Sequence, residues 1–220
     1  MRSVFRPLLA LFTAALLLSA PALAFDTPLS DQAVREAYFL GQRRDESMAA
    51  FLNKYTKLLP APASGPQIYS VTFLTPFALL VRHSSQQPNY SAQQAARDHH
   101  ADDEMVTIEI EILLTPSYSA VIPTPTGSRS GSAVGYQLRP SDFWKDFQFG
   151  VFDGHKELLG AIPTGEPRYA CDGEGSCTLV GADVRLEFAA KDFRSDTATV
   201  EVTPPECDPV SVDFDLSSLR

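Results

Sequence analysis

The chain has 220 residues, with 27 acidic and 18 basic side chains and a formal net charge of −9 at pH 7. This surplus of acids repels phosphate backbones and anionic lipids, so nucleic acid is excluded as a binding partner. Hydrophobic residues make up 44% of the chain, which excludes a disordered protein and suffices for one folded domain.

Residues 1–24 have the organisation of a signal peptide. Two arginines precede the apolar stretch Leu8–Leu18, and the sequence Ala-Leu-Ala ends at Ala24. The apolar stretch is shorter than the roughly 20 residues of a membrane-spanning helix. We therefore expect cleavage after Ala24, a mature chain without a transmembrane segment, and a periplasmic or secreted protein. Because the signal carries two basic residues and no acids, the net charge becomes −11.

Residues 25–62 predict a helical hairpin. Thr27 followed by Pro28 is typical of a helix start, and Gly41 is typical of the left-handed residue after a last turn. A second helix is expected at about residues 45–58. Each helix has one apolar face, so the hairpin must pack on the rest of the chain.

Residues 63–220 predict a β-sandwich domain. The segment "MVTIEIEILL" alternates apolar and polar residues, which indicates a strand with one solvated face. The segment "QIYSVTFLTPFALLVRH" predicts one bent strand or two strands with a break at Pro76. Between these segments, Ser91 and Gln94 have the spacing of a capping box, so a short helix is expected to begin there.

The remaining alternating segments are "FQFGVFDGHKELL", "ADVRLEF", "TATVEVT" and "VSVDFDL". The first predicts a hairpin that turns at Asp153-Gly154. No helix-length pattern separates the other three, which favours antiparallel pairing. The predicted fold is mainly β, an antiparallel immunoglobulin-like β-sandwich with an N-terminal helical hairpin. Residues 115–135 are rich in Pro, Ser, Thr and Gly and predict a long loop.

The stretch "RDHHADDE" raises the question of a metal site. His99 and His100 are expected at the end of the short helix, where adjacent residues project about 100° apart and cannot share one ion. Histidines near a helix C-terminus interact with its exposed carbonyls, and the acids after them are expected to be solvated. We predict no metal site here and retain His99 and His100 as candidate ligand contacts.

Three cysteines allow three single pairings and leave one thiol over. In "CDGEGSC" the alternation of acids and glycines resembles the start of a calcium loop, but the other oxygen ligands of such a loop are missing. We predict a disulfide between Cys171 and Cys177 that clips a tight turn between two strands, with Cys207 free.

Aromatic side chains in or beside loops are the other candidate contacts. Tyr90, Tyr118, Phe143 and Trp144 can act as stacking platforms for a ligand or as lids of the core. We retain Tyr90, Tyr118 and Trp144 as candidates for ligand contact.

The chain has no G-x-S-x-G, H-E-x-x-H, dinucleotide-binding or C-x-x-C motif. Asp153 beside His155 is interpreted as part of a solvated turn. We predict a non-catalytic binding or interaction module without a cofactor, which acts on an envelope or extracellular partner. Two alternatives stay open: a hydrolase with a carboxylate pair, and a structural component of the envelope.

The signal together with "LSDQAVREAYFLGQ", "VTFLTPFALLV", "PNYSAQQAARD" and "DVRLEFAAKDF" resembles a group of uncharacterised exported bacterial proteins. The resemblance covers most of the mature chain. Its motifs are structural, so it implies no activity, cofactor or catalytic residue.

Overall fold

A computed structural model describes residues 25–125, 134–205 and 207–220. The predicted signal peptide and positions 126–133 of the predicted loop lie outside the described residues. The four helices are α1 (Asp31–Arg43), α2 (Glu46–Asn53), α3 (Pro76–Gln86) and α4 (Ala92–Ala101).

The strands are antiparallel to their neighbours, which confirms a mainly β, antiparallel fold. Their bounds are β1 (Thr56–Leu58), β2 (Gln67–Leu74), β3 (Met105–Leu113), β4 (Val121–Pro125), β5 (Val134–Leu138), β6 (Gln148–Asp153), β7 (Lys156–Glu157), β8 (Thr164–Cys171), β9 (Cys177–Ala189), β10 (Thr197–Thr203) and β11 (Val210–Asp215).

These strands form a five-stranded sheet in the order β1-β2-β3-β9-β8, a four-stranded sheet in the order β11-β10-β6-β7, and the pair β4-β5. The two larger sheets contribute to one core. Ile108, Ile110 and Ile112 alternate along β3 and point into that core. The ring of Phe73 on β2 lies 5.4 Å from the ring of Phe214 on β11.

A second apolar cluster joins α1, α3 and α4. It holds Leu29, Ala33, Val34, Ala37, Phe77, Val81 and Ala95. Helix α3 also borders the five-stranded sheet, because Arg82 pairs with Glu109 of β3 at 2.6 Å. Through Arg82, α3 reaches the face of this sheet that is turned away from the main core, while Ala78 of α3 and Phe51 and Leu52 of α2 contact the main core itself.

Three sequence predictions about these elements need correction. Residues 76–86 form α3 instead of a strand, because the Thr75 hydroxyl accepts the Ala78 N–H and Pro76 occupies the first helical turn. The predicted second helix ends at Asn53, and residues 56–58 form the edge strand β1. Within the predicted loop, residues 121–125 pair with residues 134–138.

The predicted ends of α1 are also wrong. Ser30, not Thr27, caps this helix, since its hydroxyl accepts the Ala33 N–H at 3.2 Å. Gly41 lies inside the helix, and Arg44 supplies the left-handed residue with φ 51°. Gly41 instead allows a close approach of α3, because an added Cβ would lie 2.2 Å from the Val81 carbonyl oxygen.

We expect Gly41→Ala to lower the free energy of unfolding by about 1–3 kcal/mol, because a backbone oxygen that cannot swing aside must be displaced. Helix propensity alone would raise the free energy of unfolding of the alanine variant by about 1 kcal/mol. A decrease would therefore identify the close contact with α3 as the cause. Urea unfolding measures it, with Gly173→Ala as control because no atom lies within 4 Å of an added Cβ there. A Gly41→Ala protein as stable as the wild type would show that the two helices separate freely.

Candidate binding groove

The outer face of the five-stranded sheet, opposite the main core, carries two rows of polar side chains. Antiparallel register places directly paired residues on the same face. The acid row consists of Ser70, Glu111, Asp183 and Glu166, from β2, β3, β9 and β8 in that order. The neighbouring mixed row consists of Thr72, Glu109, Arg185 and Thr164 from the same strands.

The two rows line a groove of about 550 Å³, which we call the sheet groove. Its size falls within the range of small-molecule sites in proteins. Ile110, Gly165 and Val184, which lie between the residues of the two rows along their strands, complete its lining. The groove is therefore a concave, mainly polar surface built on rigid strands.

The acid row places three carboxylates side by side. Glu111 lies directly opposite Asp183, and Asp183 lies directly opposite Glu166. Arg168 forms ion pairs with Glu111 and, at 3.6 Å, with Asp183. Like charges directly opposite each other destabilise a sheet, and one guanidinium neutralises only one of three carboxylates. The row thus keeps a negative charge at a cost in stability.

Two residues of the mixed row, Glu109 and Arg185, form a charged triad with Arg82 of α3. Glu109 lies between Arg82 of α3, at 2.6 Å, and Arg185 of β9, at 3.0 Å. Arg82 reaches the sheet from the helical side, so the triad marks the border between the sheet and the helices. The same carboxylate therefore pairs with both guanidinium groups.

A second cleft, of about 490 Å³, opens on the helical side of this triad. We call it the helix cleft. Leu79, Leu80 and Met105 give it apolar walls, and Tyr90 and His99 stand at its polar side. Arg185 lines both the helix cleft and the sheet groove.

The stretch "RDHHADDE" contributes to the helix cleft. His99 and His100 occupy the last turn of α4, as predicted. His100 lies at the exposed surface, 3.2 Å from Asp31. His99 is largely buried and lies 3.1 Å from Glu104.

The expectation that the acids after the two histidines are all solvated is wrong for Glu104. Its side chain is only 11% exposed and it accepts hydrogen bonds from the Thr27 hydroxyl and the Leu29 N–H, both at 2.5 Å. It therefore ties the segment before α1 to the start of β3. In the described part of the chain, no group of three or more His, Cys, Asp or Glu side chains has the geometry to hold a metal ion.

Tyr90 is the one candidate aromatic that lines the helix cleft. Its ring lies 4.9 Å from that of His83, and its hydroxyl donates to Asp98 at 3.0 Å. Burial, together with this hydrogen bond and the negative charge of Asp98, raises the pKa of Tyr90 to about 12. The phenol is therefore a fixed neutral donor at physiological pH.

The other candidate aromatics belong to the core side of the molecule. Trp144 is only 7% exposed and packs against Gly165, where an added Cβ would lie 2.6 Å from the indole. Trp144 is thus a lid of the core and not an exposed platform. Tyr118 packs its ring near Phe143 and Phe147 and lies under the guanidinium of Arg139.

The hairpin of β6 and β7 turns through Gly154-His155, one residue later than predicted. Asp153 is buried rather than solvated, and its carboxylate accepts the N–H groups of Arg194 and Ser195 at 3.1 and 2.7 Å. This carboxylate organises the loop before β10 and is not paired with His155 as a catalytic base would be.

The predicted disulfide is present. Cys171 and Cys177 are bonded across the β8–β9 turn, and Cys207 is a free, exposed thiol. Asp172 accepts the N–H groups of Glu174 and Ser176, so its carboxylate stabilises the turn itself. Asp172 therefore stabilises the turn that the disulfide closes.

A scan against protein-family models and a search of curated proteins found no match for this chain. The resemblance to uncharacterised exported bacterial proteins stays a prediction. Among the described residues, no helix is long and apolar enough to cross a membrane.

Sequence reasoning did not identify the residues of the sheet groove. Glu109 and Glu111 were seen only as the solvated face of a strand, and Glu166, Asp183 and Arg185 were not singled out. The available signal was the alternation in "IEIEIL" and "ADVRLEF", which gives the face of each residue but not its partner on the next strand.

We expect Glu104→Ala to lower the free energy of unfolding by about 1–3 kcal/mol, because it leaves the Leu29 N–H and the Thr27 hydroxyl without their acceptor. Asp103→Ala removes a carboxylate from the exposed neighbouring position and should change stability by less than about 0.5 kcal/mol. Urea unfolding of both variants measures the difference. Equal losses would show that Glu104 does not hold the N-terminal segment.

We expect the Tyr90 phenol to lose its proton about 2 pH units later in the folded chain than in the unfolded chain, where its pKa is about 10. Because the folded pKa is raised, the stability this group contributes is complete below pH 10 and is lost as the pH rises toward 12. Tyrosinate absorbance of the wild type minus that of Tyr90→Phe isolates this step, with circular dichroism to verify folding. A difference step near pH 10 in folded protein would contradict the contact with Asp98.

Proposed function

We propose that the chain is an exported, non-catalytic binding module and that the sheet groove is its binding site. The observation that carries this proposal is the acid row, where three carboxylates face one groove with one arginine among them. Such a row lowers stability and is typical of positions kept for function. Its ligand is a polar molecule that carries positive charge.

The charge of the whole chain supports the same ligand class. A net charge of −9, or −11 without the signal, attracts cations toward the surface over distances beyond contact. Hydroxyl groups of Ser70, Thr72 and Thr164 also line the groove. They are bonded to Glu111, Thr56 and the Arg185 carbonyl respectively, and each oxygen has a further lone pair with which to accept a hydrogen bond from a ligand.

Export is supported by the pattern of residues 1–24 and by the Cys171–Cys177 disulfide, which is typical of oxidising compartments. We also propose that the two larger sheets form an immunoglobulin-like sandwich and that α1 and α2 form the helical hairpin. The single core shared by both sheets supports the first of these proposals.

A hydrolase is a second candidate, because Glu109 and Glu111 alternate on β3. Their Cα atoms are about 7 Å apart at the rise of a strand, which allows the two carboxyl groups to reach the separations of glycosidase pairs. Each of these carboxylates is engaged by arginine, however. A glycosidase pair needs one carboxyl group that holds a proton for donation, so binding is favoured over hydrolysis.

A structural envelope component is a third candidate. Tyr136 and Leu138 on β5 are 73% and 79% exposed, and alternate positions on a strand share one face. Val121 on β4 lies directly opposite Leu138 and is 44% exposed, so this pair of strands carries three exposed apolar side chains. An assembly interface needs a larger contiguous apolar patch, so this candidate ranks below the binding module.

Calorimetric titration of the protein with acetylated trilysine amide at low salt tests the proposal. We expect the double variant Glu166→Gln, Asp183→Asn to bind trilysine about three- to tenfold more weakly, at the magnitude of exposed ion pairs. The control Asp213→Asn removes one charge from the other sheet and should bind like the wild type.

Stability provides an independent readout of the same variants. Glu166→Gln alone should raise the free energy of unfolding by about 0.2–1 kcal/mol, because it relieves the opposition with Asp183. Weaker trilysine binding together with an unchanged or increased free energy of unfolding would show that these acids contact the ligand. Trilysine binding that is absent, or equal in the double variant and the control, would refute the proposed site.

A further inference from the structure

The sheet groove and the helix cleft share a wall made of side chains. Arg185 lines both, Glu109 faces the sheet groove, and Arg82 faces the helix cleft. The three residues are the charged triad, with contacts of 2.6 and 3.0 Å. These side chains therefore form part of the border between the two concavities.

The two concavities offer different chemistry. The acid row in the sheet groove is matched by ammonium or guanidinium groups. The helix cleft combines the partly exposed apolar side chains of Leu79, Leu80 and Met105 with acidic residues that also line it, namely Asp98, Asp102, Asp103 and Glu104. It differs from the sheet groove by offering an apolar contact beside its charged groups. An apolar ligand group buried there gains about 1.5–3 kcal/mol if it is the size of a leucine side chain.

We infer that one extended peptide segment of a partner protein occupies both concavities, with basic side chains on the acid row and an apolar side chain in the helix cleft. This inference rests on the proposed binding function and names its ligand class. A peptide supplies both kinds of side chain on one flexible chain, whereas a simple glycan offers hydroxyl groups to the apolar walls.

The triad suits a peptide backbone that crosses it. Each guanidinium has five N–H donors, and Glu109 accepts hydrogen bonds from one nitrogen of Arg82 and one of Arg185. Further donors of these two arginines are available for the carbonyl oxygens of a passing peptide.

The spacing of the two recognition points follows from β3. Glu111 and Met105 are six residues apart on this strand, or about 20 Å at the rise of a β-strand. An extended peptide covers this distance with about six residues. The partner segment therefore carries its basic and apolar residues about five to seven positions apart.

The test uses three acetylated peptides and the wild-type chain. The first joins three lysines to two leucines through a five-residue Gly-Ser spacer, in both chain directions. The second has serines in place of the leucines, and the third has leucines but no spacer. We expect the first peptide, in one direction, to bind about tenfold more tightly than the other two.

The variant Leu80→Ser should remove this tenfold advantage and leave trilysine binding unchanged, which also verifies that the variant is folded. Equal affinity of the leucine and serine peptides would overturn the inference and leave the proposed function in place. Tighter binding of a glucosamine oligomer than of any peptide would assign the site to glycans and overturn it as well. Failure of trilysine itself to bind would remove the proposed function and this inference together.

Discussion

The alternation of side chains along β3 is the constraint on which the rest of the structure depends. This strand lies in the middle of the five-stranded sheet, so its two faces meet different surroundings. Ile108, Ile110 and Ile112 point into the main core, and Glu109 and Glu111 point to the opposite face. A shift of pairing by one residue would bury both carboxylates and expose the isoleucines, so burial of the core also fixes the position of the acids.

The helices decide how much of that second face is open. Helix α3 reaches the sheet at Glu109 through Arg82, while the rows farther along β8 and β9 stay uncovered. The close contact at Gly41 holds α1 against α3, and Glu104 holds the segment before α1 against the start of β3. The border between the two concavities is therefore set by helix packing, and the acid row by strand register.

Much of the fold could be predicted from the sequence because its signals are local. The strand at β3, the helix after Ser91 and the Cys171–Cys177 clip each follow from residues close together in the chain. Helix α3 was mistaken for a strand because Pro76 was interpreted as a break, although a proline directly after Thr75 equally indicates a helix start. The role of Gly41 could not be predicted, because it depends on the carbonyl oxygen of Val81, which is 40 positions away in the chain.

The site could not be predicted for a related reason. Glu111, Asp183 and Glu166 come from three strands, and only their register makes them neighbours. Each acid alone is an ordinary residue of a solvated strand face; together they oppose the stability of the sheet that holds them. A sheet selected for stability alone would alternate charges across this row, as it does where Glu109 faces Arg185. The contrast between these two adjacent rows of the same sheet supports the proposal that the acid row serves binding.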